Sequence, residues 1–141
     1  MSIGKWVLAA AAFGGGAHVW QVHQHTVQMS KLQAVADSYG FVPVLVANGA
    51  PQNTAVILAA LNCPSAQAKR ADAMASRLSE LGIPNTRANN YMVGNVTRDQ
   101  SALIEQTSAV LGGEIPVVIV NGRAKANPSV EDVVSELRRG I

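Results

Sequence analysis

The pair Asn121-Gly122 restricts the fold of this chain more than any other feature. It stands between the β-branched run Pro116-Val117-Val118-Ile119-Val120 and a second short run, Arg123 to Ala126. An Asn-Gly pair flanked in this way is the strongest short-range signal for a two-residue hairpin, so the two runs must be antiparallel neighbours. Asn127-Pro128-Ser129 then opens a helical pattern. Val130, Val133, Val134 and Leu137 follow the i, i+3, i+4, i+7 spacing of one apolar helix face. Glu131 and Asp132 suit the positive end of that helix.

Upstream, the same reasoning gives an alternating order. Leu32, Val35, Ala36 and Tyr39 predict a helix over about 27–39, with Gly40 as its stop. Residues 41–47 read as a strand that Pro43 confines to a sheet edge, and Asn48-Gly49 marks a turn. Ala55 to Leu61 reads as a buried strand. Ala71, Met74, Leu78 and Leu81 predict a helix over 64–81, with Pro64 in its first turn and Gly82 at its end. Residues 87–93 form the next candidate strand, interrupted by Asn89-Asn90. Thr97 with Gln100 makes a capping box, and Leu103, Thr107, Val110 and Leu111 predict a helix closed by Gly112-Gly113. Short crossovers make the first two strands after Thr54 parallel. An α/β fold follows, with a mixed four- or five-stranded sheet and helices on both faces. Residues 42–49 also parallel residues 115–122, which reads as two edge-type strands ending in the same turn chemistry.

Composition narrows the function classes. Of 141 residues, 48% are hydrophobic and 14% charged, which suits a packed core and excludes a disordered chain. The net charge of +2 comes from scattered basic residues, with no basic stripe interleaved with aromatics, so no nucleic-acid partner is expected. The single cysteine, Cys63, excludes an internal disulfide and a cysteine-only metal site.

The first 25 residues read as a separate piece. Trp6 to Ala17 is apolar or glycine throughout, after a short segment carrying Lys5. This has the form of an export signal peptide, or of a membrane anchor extended through Val22. The expected location is exported or anchored in the inner membrane of a bacterial envelope, facing the periplasm. The alternative is a soluble Ala/Gly-rich tail on a cytoplasmic protein. His18, His23 and His25 are candidate metal ligands, although no other ligand-type residue lies near them in sequence. The expected organisation is residues 1–25 as signal or anchor, 26–53 as an N-terminal helix and edge strand, and 54–141 as the main domain.

Cys63 stands where a strand gives way to a helix, in Asn62-Cys63-Pro64-Ser65-Ala66. A thiol there would face free backbone N–H groups and the positive end of the helix dipole, both of which favour the nucleophilic thiolate. Asn62 and the N–H groups of Ser65 and Ala66 are the candidate stabilisers. Ser65 is a rival nucleophile, without a histidine in the main domain to serve as its base.

The element order, this cysteine motif, Gly82-Ile83-Pro84 and Ile115-Pro116-Val117 through Arg123 together resemble the thioredoxin superfamily, and its glutaredoxin branch most. The resemblance runs from about Thr54 to Arg139. It implies a three-layer thioredoxin-like fold preceded by the apolar N-terminal helix, Cys63 as nucleophile, and Pro116 as a cis-proline that positions a substrate backbone. Ala66 stands where dithiol members have their resolving cysteine, so the resemblance is to monothiol types. Ala126-Asn127-Pro128 replaces the glycine pair that helps the family bind glutathione, which weakens the case for that cofactor; no other is implied. The expected partner is a protein disulfide or thiol. The competing expectation is a non-catalytic thioredoxin-like subunit of an envelope assembly. A cytosolic reductase of arsenate type would need an anion-binding arginine, for which Arg87 and Arg123 are the candidates.

Overall fold

The computed structural model describes residues 30–47, 49–60 and 64–140. The apolar N-terminal segment, His18, His23, His25, Asn48, Asn62 and Cys63 lie outside them. Residues 30–35 are helical, four residues short of the expected end at Tyr39. Asp37 explains the difference. Its Oδ1 accepts the N–H groups of Tyr39 at 2.9 Å and Phe41 at 3.1 Å, a local turn that competes with helix continuation.

From residue 35 onward the chain forms one compact unit around a mixed five-stranded sheet. The strands are β1 (Val42–Pro43), β2 (Ala55–Leu58), β3 (Asn85–Ala88), β4 (Val117–Val120) and β5 (Arg123–Ala126). Their spatial order is β1-β5-β4-β2-β3. β2 and β3 run parallel; β2 with β4, β4 with β5 and β5 with β1 run antiparallel. The helices are α1 (Ala66–Glu80), α2 (Ser101–Leu111, entered through a short 3-10 turn at 98–100) and α3 (Val130–Arg139).

The hairpin forms as the Asn-Gly pair demands. Asn121 and Gly122 both have positive φ, 48° and 77°, which is what gives a type I′ turn the twist of its flanking strands. Val118 and Val120 of β4, with Ile57 of β2, point to one face. There they meet Ala71, Met74 and Leu78 of α1, Val133 and Leu137 of α3, and the fully buried Phe41. On the other face α2 packs against β5 and β1. Gly113 permits that approach, because a Cβ there would lie 2.7 Å from the Ala126 Cβ.

Local signals set the helix ends. Ser65 caps α1, its Oγ accepting from the Ala68 N–H. At the other end Gly82 sits at φ 73°, with its N–H on the Ser79 carbonyl and the Ile83 N–H on the Leu78 carbonyl. This is a Schellman closure, and Ile83 packs against the core beside it. Ser129 and Asp132 form a capping box on α3, and Thr97 with Gln100 forms one before α2.

Three expectations need correction. Pro64 lies before the N-cap of α1 and not in its first turn. The second parallel strand begins at Asn85 and ends at Ala88, not over 87–93. Its bounds follow from pairing with β2, where Ala55 faces Asn85 and Leu58 faces Ala88. The residue pattern of one strand cannot supply that register. Third, the runs after Pro43 and Pro116 are not two edge strands. β1 is an edge, but β4 is internal, paired on both sides, and its proline precedes the ladder. Among the described residues, no helix is long and apolar enough to cross a membrane.

Candidate functional site

The β2–β4 register brings the end of β2 and the loop before β4 to one end of the sheet. Leu58 at the end of β2 faces Val117 at the start of β4. Pro116 and the chain leaving β2 through Ala59 and Ala60 are therefore neighbours across the same edge. Residues 61–63, with Asn62 and Cys63, lie outside the described residues. Pro64 and Ser65 resume the chain at the head of α1. The Ser65 hydroxyl is committed to the cap, but no acidic residue occupies the first turn of α1 to offset its positive end.

Pro116 is fully buried and follows a cis peptide bond with Ile115. Two contacts fix its loop. The Pro116 carbonyl accepts the Asn127 N–H at 2.7 Å. Arg70, on the second turn of α1, donates from Nη2 to the Ile115 carbonyl at 2.9 Å and lies 3.5 Å from Glu114. The proline loop is thus tied directly to the helix that begins at the cysteine junction. Asn127 adopts a positive φ of 46°, a conformation that asparagine tolerates better than most residues.

Arg87 braces the other side of the junction. It stands on β3, with its side chain 15% exposed. Its Nη2 donates to the Ala60 carbonyl at 3.2 Å, and its Nη1 pairs with Asp72 of α1. Sequence reasoning singled it out only as a possible anion ligand. The structure gives both terminal nitrogens protein partners, which makes it a strut between β2, β3 and α1. Arg123, the other candidate, lies beyond the hairpin turn at the opposite end of β4.

A cavity of about 500 Å³ opens at the junction end of the sheet, its lining including Leu58, Ala59, Asn89, Tyr91, Leu111 and Ile115. This is the carboxyl end of the two parallel strands, where α/β proteins commonly place ligands. Tyr91 closes one side. Its hydroxyl donates to the Leu45 carbonyl and accepts from the Ala47 N–H, each at 2.8 Å. Burial raises the Tyr91 pKa, against the opposing effect of that N–H, so it stays neutral and keeps both bonds.

Among the described residues there is no group of three or more His, Cys, Asp or Glu side chains placed to hold a metal ion. The candidate ligands His18, His23 and His25 lie outside them. No protein-family model, curated protein or solved structure matches the chain.

Proposed function

We propose that this protein is a thioredoxin-like, monothiol thiol–disulfide oxidoreductase with Cys63 as its nucleophile. The observation that carries the reading is the register of β2 with β4, which sets Pro116 beside the strand end that leads to Cys63. The strand order β3-β2-β4-β5 supports it: a parallel pair followed by an antiparallel hairpin is the core expected of that fold, with β1 added at the hairpin edge.

The chemistry needs no bound cofactor. The Cys63 thiolate attacks one sulfur of a partner disulfide, forms a mixed disulfide with it and expels the other sulfur as thiolate. An external thiolate then attacks the partner's sulfur in that bond, makes a new disulfide with it and returns Cys63 as thiolate. Ala66 leaves no internal thiol to do this, so the second thiol comes from outside. Arg70 and Arg87 hold the two loops that would present sulfur and substrate backbone to each other.

The test is the pH dependence of iodoacetamide alkylation of the full chain, in which Cys63 is the single cysteine. A midpoint well below the free-thiol value of about 8.5 is the expected result. A midpoint at or above that value, or labelling only after unfolding, removes the oxidoreductase reading and leaves the non-catalytic binding subunit. Export or membrane anchoring through residues 1–25 belongs to the same proposal and rests on the apolar stretch from Trp6 to Ala17.

A further inference from the structure

The cavity at the junction end of the sheet has a lining that selects its occupant. Its floor is apolar. Leu58 and Ala59, where β2 ends, and Val117, where β4 begins, are all buried there. Leu111, the last residue of α2, and Ile115 extend the apolar lining, and Ile115 is 40% exposed. Tyr91 adds ring surface only, because its hydroxyl is committed to the Leu45 carbonyl and the Ala47 N–H.

The polar groups of the lining are of one kind. Asn89 and Asn90, which directly follow β3, line the cavity and are exposed. Their carboxamides have no hydrogen-bond partner among the described residues. A carboxamide offers a donor and an acceptor together, which is the complement of a peptide group. None of the described lining residues is charged. The guanidinium groups at this end are already engaged, Arg70 by the Ile115 carbonyl and Glu114, Arg87 by the Ala60 carbonyl and Asp72. A carboxylate entering the cavity would lose its water without gaining a cation.

We propose that this cavity takes an apolar side chain from an extended, uncharged stretch of a partner polypeptide, while the Asn89 and Asn90 carboxamides pair with the main-chain amides of that stretch. Apolar burial supplies the affinity, and the carboxamides fix the direction of the chain. The inference rests on the reading that a partner disulfide reacts at Cys63. Ile115 and Val117 flank Pro116, so the residue that fills the cavity lies close in sequence to the partner cysteine. Glutathione is a poor fit: it carries carboxylates at both ends and no large apolar side chain.

The experiment is a nitrogen–proton NMR titration of the full chain, reading the Leu111 and Ile115 main-chain amides and the Asn89 and Asn90 side-chain amides. The probe is an end-blocked peptide, alanine-phenylalanine-serine-alanine, in which serine replaces the reactive cysteine. Binding is then read whether or not Cys63 is nucleophilic. Both sets of amides should shift and saturate together. The same peptide with glutamate for phenylalanine, and S-methylglutathione, should leave them unmoved. Ile115→Glu, at a partly exposed position, should weaken the phenylalanine peptide by about tenfold or more. Absence of shifts with that peptide overturns the inference, as do equal shifts with the glutamate peptide or S-methylglutathione. Shifts at Leu111 and Ile115 with both carboxamides unmoved also overturn it, since they mark an apolar cavity that does not read a peptide. Saturable shifts at both sets, in a chain whose Cys63 alkylates like a free thiol, uphold the peptide site and remove only the oxidoreductase reading. If Ile115→Glu does not fold, the wild-type titrations decide.

Discussion

The Ser65 hydroxyl, two residues beyond Cys63, accepts the Ala68 N–H and so caps α1. Ser65→Ala should therefore cost about 1 kcal/mol of stability, read as a lowered thermal midpoint. The Cys63 alkylation midpoint should stay put, since the backbone N–H groups at the helix start remain. Glu136 sits between Val133 and Leu137, on the buried side of an otherwise regular amphipathic helix. Periodicity marks the apolar positions around it but cannot show that Asp37, ninety-nine positions earlier, reaches the same Arg139 guanidinium.

At the scale of elements, the short β1 is held mainly by side chains. Only Val42 and Pro43 enter the ladder with β5. Beyond them, the Leu45 N–H donates to Thr107 Oγ1 of α2 at 2.9 Å, and that hydroxyl donates in turn to the Leu103 carbonyl. Thr107 thus ties the sheet edge to the helix beneath it. Thr107→Val keeps the shape but strands the buried Leu45 N–H. It should lower the denaturation free energy by about 1–3 kcal/mol with an unchanged denaturant slope, whereas Thr107→Ser should lose much less. The sequence pattern predicted α2 and its apolar face, with Thr107 among the inward positions. Only the docked edge strand gives that threonine its partner.

Over the whole molecule, side-chain ties gather at the two ends of the sheet. Pro116, the end of β2 and the head of α1 meet at one end, tied by Arg70 and Arg87. At the other, Asn121 and Asn53 join the turns by reciprocal hydrogen bonds beside the Arg139 guanidinium that Asp37 and Glu136 share. The proposed export or anchoring of the chain has its own check. A C-terminally tagged protein expressed in a bacterium should fractionate with the membrane or periplasm, and deleting residues 1–25 should move it to the cytoplasm. Equal cytoplasmic recovery of both forms would end that part of the proposal. What the sequence by itself determined is local: the Asn-Gly hairpin, the caps at Ser129 and Thr97, the Gly82 stop and the apolar faces of three helices. Each depends on residues within a turn or two of one another, where backbone geometry and hydrogen-bond competition are settled. Only the tertiary structure decided the bounds of β3, the internal place of β4, the fifth strand beside the hairpin, and the partners of Arg70, Arg87, Asp37 and Glu136. Those depend on register and burial between segments far apart in the chain, which no local pattern encodes.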